Sequence, residues 1–243
     1  MVRALLDGRK SQTRRLINPQ PPACVTSAGV ISRSSEGQTD EWSWLSGDPK
    51  DIDTWGFEGE FSTRFVPGDR LYVREEYYQR GHWAPVEGVA TKGGRQKWAF
   101  VPVDDEIRFD APGIFRLGRH SADPATVAWH KRLGRFMPRA ASRMTLLVED
   151  VRVERLQNIS EADCWAEGVC TAVESSGRAA FGESCTPEMR RMIVETIHGS
   201  GSAAYHWLWS SLHTHEGQRW DDNPFVVAIT FSVVRGNVDQ VAA

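Results

Sequence analysis

The pattern of hydrophobic and polar positions predicts a few strands, each bounded by turn residues. Apolar and polar side chains alternate in RMTLLVEDVRVERL (143–156), which is the strongest strand pattern in the chain. The segment NPFVVAITFSVV (223–234) is apolar enough to predict a largely buried closing strand. A Pro-Gly-Asp turn leads into a shorter strand in VPGDRLYVREEYY (66–78), and KWAFVPV (97–103) predicts another.

Helical spacing and capping residues predict four helices around these strands. Residues 2–7 predict a short helix that ends at Gly8. In NISEADCWAEGV (158–169), Ser160 is a good N-cap and Gly168 is a natural stop. Apolar faces predict two further helices, in PEMRRMIVETIHG (187–199) and SAAYHWLWSSLH (202–213).

Long stretches without a clear period separate these elements. Residues 23–62 are rich in Ser, Gly, Asp and Trp and predict a long loop, residues 79–135 are loop-rich apart from one strand, and residues 171–188 are loop-like. The order of elements shows no regular β-α alternation. It therefore predicts an α+β fold with a small, mostly antiparallel barrel or curved sheet, in a single domain over residues 1–243.

Composition and charge narrow the function classes. A net charge of −3 over 243 residues provides no global field that would draw the protein onto nucleic acid, so any such contact must come from a local basic patch. The chain shows no signal peptide and no apolar run near the ~20 residues that cross a bilayer. We therefore expect a soluble, cytoplasmic protein that makes no membrane contact.

Several common catalytic and metal-binding patterns are missing from the sequence. A dinucleotide-binding glycine motif, a P-loop, a nucleophile elbow and a zinc-protease motif are all absent. The four cysteines form no C-x-x-C pair, and His213 and His215 stand two apart in a stretch that looks helical. We therefore predict reduced thiols and no metal site.

The densest basic segment is LLDGRKSQTRRLINPQPP (5–22), which surrounds the hydroxyls of Ser11 and Thr13 with four cations. Three interpretations are open: a solvated start, a phosphate clamp for nucleic acid, or a lysine that activates a hydroxyl. A contact between Lys10 and Thr13 requires a turn, because positions three apart on a strand face opposite sides. Glu167 stands near the end of its helix, where the helix dipole disfavours a carboxylate, and a partner such as Lys10 would explain it.

Four segments of the chain together resemble the ASCH domain, a fold related to PUA. They are LLDGRKSQTRRL, PGDRLYVRE, VEDVRVERLQNISEADCWAEGV and NPFVVAITFSVV. The resemblance implies a PUA-like β-barrel with flanking helices, with long insertions at about 23–62, 79–135 and 171–200. Longer ASCH-like proteins with MPRAASR (137–143) ahead of the central strand are typical of phages and prophages.

The resemblance also implies an activity. Some ASCH proteins are amidohydrolases that remove the acyl group from N4-acylcytidines, and their lysine, threonine and glutamate match Lys10, Thr13 and Glu167 here. The resemblance then implies a threonine nucleophile, a lysine base and a supporting glutamate, with no cofactor. Substrate binding is assigned to a set of four residues: Arg9, Arg14, Tyr77 and Arg139.

A second class of function stays open at this point. PUA-like domains commonly grip RNA or a single modified base, and the basic opening with abundant aromatic residues suits that role. In that case arginine substitutions would weaken a salt-sensitive interaction more than Thr13→Ala would. The acidic net charge favours a small nucleoside substrate over a long nucleic acid.

Overall fold

The computed structural model describes residues 2–32, 40–169 and 186–241. Within the chain, two compact units are distinguished: one from residues 1–71 and 146–234, the other from residues 72–145 and 235–242. The described helices are α1 (Val2–Leu6), α2 (Glu161–Ala166), α3 (Pro187–His198) and α4 (Gly201–Leu212). The strands are β1 (Gln12–Leu16), β2 (Val25–Ser32), β3 (Glu41–Ser46), β4 (Gly56–Ser62), β5 (Arg70–Tyr72), β6 (Tyr77–Ala90), β7 (Gln96–Arg108), β8 (Ala128–Arg132), β9 (Met144–Arg155) and β10 (Phe225–Arg235).

A four-stranded sheet in the order β1-β10-β9-β5 positions the basic segment. Strand β1 pairs antiparallel with β10, and Thr13 lies opposite Ile229. Residues 225–229 of β10 are all buried, as its continuous apolar sequence predicts. The strands predicted from residues 143–156 and 223–234 are confirmed, and the strand predicted after Gly68 is confirmed as the three-residue β5.

The prediction of a long loop over residues 23–62 is wrong, because this segment forms the antiparallel sheet β2-β3-β4. The ring of Trp44 stacks on Phe61 with centroids 3.8 Å apart and meets Phe225 of β10 at 4.9 Å. Burial of these large rings stabilises the strands through tertiary contacts, although Ser and Gly between them obscure the local alternation.

The four helices that the sequence predicts are confirmed. Ser160 caps α2 by accepting a hydrogen bond from the Asp163 amide, as its sequence position predicts. The Glu161 carboxylate accepts from the amides of Gly201 and Ser202 at 2.7 and 2.9 Å, and so fixes the start of α4 beside α2. A shared apolar core of buried residues holds the two helices together: Leu156, Ile159, Cys164, Val169, Val194, Ala204, Tyr205, Trp209 and Val226.

The second unit contains the sheet β7-β6-β8. The expectation of a loop-rich segment at 79–135 is wrong for its first half, since β6 and β7 form a long antiparallel hairpin there. The strand predicted at 97–103 is confirmed within β7. The loop predicted at 171–188 falls almost entirely outside the described residues, and α3 begins at its end.

Together these elements confirm an α+β fold in which the sheets are mostly antiparallel. The described strands belong to three sheets, and they form no closed barrel among themselves. In the part of the chain that the structure describes, no helix has both the length and the apolar character needed to span a membrane. The single domain with three insertions stays a prediction.

Candidate functional site

Two helix ends hold the segment that carries Lys10. The amides of Arg9 and Lys10 both donate to the carbonyl of Ala4 in α1, at 2.8 and 3.1 Å. The next amide, that of Ser11, donates to the carbonyl of Ala166 at the end of α2, at 2.9 Å. The backbone of Lys10 is therefore clamped between α1 and α2 before β1 begins at Gln12.

Gly168 permits the close approach of Lys10 to α2. Its φ is +78°, a conformation that favours glycine, and it follows the helix as the sequence predicts. A Cβ atom at this position would stand 3.2 Å from the Cβ of Lys10. The absence of a side chain at Gly168 thus makes room for the lysine.

The structure brings Lys10 and Glu167 together across 157 residues of sequence. Lys10 Nζ donates to Glu167 Oε2 at 2.7 Å and to the Glu167 carbonyl at 2.8 Å. Both residues are only 7 % exposed, so this is a buried ion pair. An ammonium has three N–H groups, and within the described residues two of the three are used.

Arg14 lies behind this pair, with its side chain fully buried. Its five N–H groups all have acceptors: Glu154 takes two, and Gln12, Asp163 and Glu167 take one each. The contact with Glu167 is 3.4 Å long and reaches the carboxylate oxygen that Lys10 does not use. Arg14 therefore holds Glu167 and aligns it toward Lys10.

The charges of this cluster shift the pKa values of two of its members. Burial lowers the pKa of Arg14, but the charge of Glu154 and its hydrogen bond outweigh that effect, so the pKa is raised overall. Burial raises the pKa of Asp163, but the hydrogen bond from Gln12 and the charges of Arg14 and Arg152 lower it overall. Both groups are thus kept charged in the folded protein.

A cavity of about 320 Å³ opens beside the ion pair, and we call it the site cavity. Lys10, Thr13 and Glu167 all line it, together with Arg14 and Arg15. Within the described residues the Thr13 hydroxyl forms no hydrogen bond, so it faces no competing acceptor. A hydroxyl, an amine and a carboxylate around one small cavity are the groups that nucleophilic acyl transfer requires.

Helix α4 forms the opposite, aromatic wall of the site cavity. Trp209 and His213 stack with centroids 3.9 Å apart and an interplanar angle of 16°. Tyr205 lies one turn earlier; burial raises the pKa of its hydroxyl, and the charge of Glu167 raises it further. This wall was not predicted from the sequence, and it consists of Tyr205, Leu208, Trp209, Leu212 and His213. Their spacing of three and four residues, on a helix that the sequence predicts, is the signal that identifies one common face.

Other aromatic and basic residues that the sequence singles out have partners elsewhere. Arg9 pairs with Asp7 at 2.9 Å and does not line the site cavity. In the second unit, the buried Tyr77 donates to the carbonyl of Phe136, and Arg139 pairs with Asp239 at 2.8 Å. The assignment of Arg9, Arg14, Tyr77 and Arg139 to substrate binding stays a prediction.

No group of three or more His, Cys, Asp or Glu side chains in the described ranges is arranged to hold a metal ion. The sequence matches no family model, and the comparisons with curated proteins and with solved structures also give no match.

Proposed function

We propose that the protein is an ASCH-type amidohydrolase that removes the acyl group from N4-acylated cytosine nucleosides. The observation that carries the proposal is the buried Lys10–Glu167 pair, which lies with Thr13 around one cavity although 157 residues separate its members. The proposal includes a PUA-like relationship, in which the sheet β1-β10-β9-β5 corresponds to strands of the small barrel of that fold.

The reaction begins with proton movement within the ion pair. Lys10 passes a proton to Glu167 over the 2.7 Å contact, and the neutral amine then accepts the proton of the Thr13 hydroxyl. The Thr13 oxygen attacks the acyl carbon, the carbon–nitrogen bond breaks, and Lys10 returns its proton to the departing cytosine amine. Neutral Lys10 then takes a proton from water, which attacks the threonine ester, and gives that proton to the Thr13 oxygen as the carboxylic acid leaves. Glu167 finally returns its proton to Lys10, which restores the ion pair.

Arg14 and Tyr205 supply the electrostatic setting for these steps. Arg14 contacts the carboxylate oxygen of Glu167 that Lys10 does not use, and so holds the carboxylate in place for the proton relay. The Tyr205 hydroxyl is neutral because its pKa is raised, and it has no hydrogen-bond partner within the described residues. A neutral phenol beside the cavity is a donor for the acyl oxygen as negative charge develops on it.

The site cavity suits a single modified base better than a polymer. A volume of about 320 Å³ is at the small end of the range for ligand sites, and it matches a nucleobase with a short acyl group. The stacked rings of Trp209 and His213 offer a flat surface for the planar cytosine ring.

RNA binding without catalysis is the second candidate function, and it rests on the exposed Arg15. Arg15 has no ion pair within the described residues, so it is available to a phosphate. Arg14 is not available, because protein acceptors use all five of its N–H groups. Only one of the two neighbouring arginines is therefore available to a phosphate, which favours the enzyme over the RNA-binding module.

The test is the ultraviolet absorbance of N4-acetylcytidine incubated with the purified protein. Wild-type protein is expected to convert the spectrum to that of cytidine, and Thr13→Ala and Glu167→Ala are expected to abolish the conversion. Ser11→Ala is the matched control. It removes a hydroxyl from the same segment, but that hydroxyl is exposed and does not line the site cavity. Wild-type protein that binds RNA with a steep salt dependence and hydrolyses neither acetylated nor benzoylated cytidine would contradict the proposal.

A further inference from the structure

A second cavity, of about 550 Å³, lies next to the site cavity in the same unit. Arg15 and Leu16 of β1 line both cavities, so the two are neighbours along this strand. The other side of the second cavity is the end of β4 and the residues after it, including Phe61 and Arg64. A ligand that bridged the two cavities would pass Arg15, which lines both.

The second cavity is positively charged. Arg15 and Arg64 line it, both are exposed, and neither side chain has an ion pair or hydrogen bond within the described residues. No acidic side chain is among the described residues that line it. The site cavity differs, because there the cations Lys10 and Arg14 are neutralised by carboxylates. Two guanidinium groups without carboxylate partners are suited to bind an anion, and the planar guanidinium matches phosphate in particular.

The rest of the lining suits the sugar that links a base to a phosphate. Asn18 and Ser62 contribute an exposed amide and an exposed hydroxyl, neither of which has a partner within the described residues. The ring of Phe61 is fixed by its stack on Trp44, so this wall is formed before a ligand arrives. Cations, hydrogen-bonding groups and rigid apolar surface are the three features that a nucleotide requires.

We propose that the second cavity is a phosphate subsite, and that the substrate is a phosphorylated cytidine whose acylated base occupies the site cavity. This inference rests on the proposed deacylation and names its substrate class. Arg64 binds the phosphate from the side of β4, and Arg15 binds it from β1, between the two cavities.

The experiment compares kcat/KM for N4-acetylcytidine with that for its 5′-monophosphate. The nucleotide is expected to be the better substrate on the order of tenfold, as is usual for a charge-assisted hydrogen bond. Arg64→Gln is expected to remove most of this preference, and the preference is expected to weaken with added salt because the arginines are exposed. Arg3→Gln is the matched control, since it removes an exposed cation that lines neither cavity and is expected to keep the preference.

Two further arms separate the inference from the activity on which it rests. Calorimetry compares cytidine with cytidine 5′-monophosphate, and tighter binding of the nucleotide that Arg64→Gln abolishes supports the subsite even if no deacylation occurs. A dinucleotide with N4-acetylcytidine tests whether a phosphodiester is preferred to the monophosphate, and either preference supports a phosphate site. Equal kcat/KM for nucleoside and nucleotide, with equal values in Arg64→Gln, would overturn the inference while the deacylation stands.

Discussion

Replacing Arg14 by alanine is expected to lower the free energy of unfolding by about 3–5 kcal/mol, the cost of removing one partner of a buried ion pair. The side chain is fully buried and gives five N–H groups to protein acceptors. Its removal leaves Glu154, Asp163 and Glu167 without their shared cation, although their side chains are only 15, 19 and 6 % exposed. Each carboxylate is then desolvated without full compensation.

The matched control is Arg152→Ala, because Arg152 pairs with the same Asp163 at 3.3 Å but its side chain is 41 % exposed. An exposed pair of this kind contributes about 0–1 kcal/mol. Urea unfolding followed by tryptophan fluorescence at pH 7 measures both free energies. Equal losses in the two variants, or a loss below about 1 kcal/mol for Arg14→Ala, would show that Arg14 does not stabilise the fold as a buried ion-pair partner.

Three further predictions concern the site and its surroundings. Gly168→Ala is expected to lower the free energy of unfolding by about 1–2 kcal/mol, because of the positive φ at this position, and to slow deacylation by displacing Lys10. Gly217→Ala is the control: its φ is also positive, at +77°, but open space surrounds it, so activity is expected to be kept. Urea unfolding and initial rates measure both variants. The pKa of Asp163 is lowered in the folded protein, so its carboxylate stabilises the fold at any pH above the pKa of about 4 that it has in the unfolded chain. This stabilisation is lost as the pH falls through the folded pKa. Tm is therefore expected to decrease in acid, and to decrease less steeply in Asp163→Asn. Burial raises the pKa of Cys164 to about 11, so alkylation at pH 8, mapped by mass spectrometry, is expected to label it only after denaturant is added; rapid labelling in the folded protein would contradict this.

The elements that could be predicted from the sequence are those whose patterns are local. The alternation before Arg155 and the apolar run after Pro224 each predict a strand, and Ser160 caps its helix as expected. The sheet between residues 25 and 62 could not be predicted in this way. Its stability depends on the contact of Trp44 with Phe61 and Phe225, and a local pattern does not contain that contact.

The candidate site shows the same division. Residue types alone single out Lys10, Thr13 and Glu167, and the resemblance joins them, but the 2.7 Å contact depends on how α1 and α2 clamp the segment between them. The role of Arg14 could not be predicted either, since its acceptors come from β1, β9 and α2. The aromatic wall from Tyr205 to His213 could have been predicted, because one face of a predicted helix carries it.

The most direct test of the proposed mechanism is the mass of the intact protein after a rapid acid quench of its reaction with N4-benzoylcytidine. A mass increase of one benzoyl group is expected, mapped by peptide sequencing to Thr13, absent in Thr13→Ala and retained in Ser11→Ala. Cytidine release without any such adduct, or an adduct on another residue, would contradict a threonine nucleophile at this site.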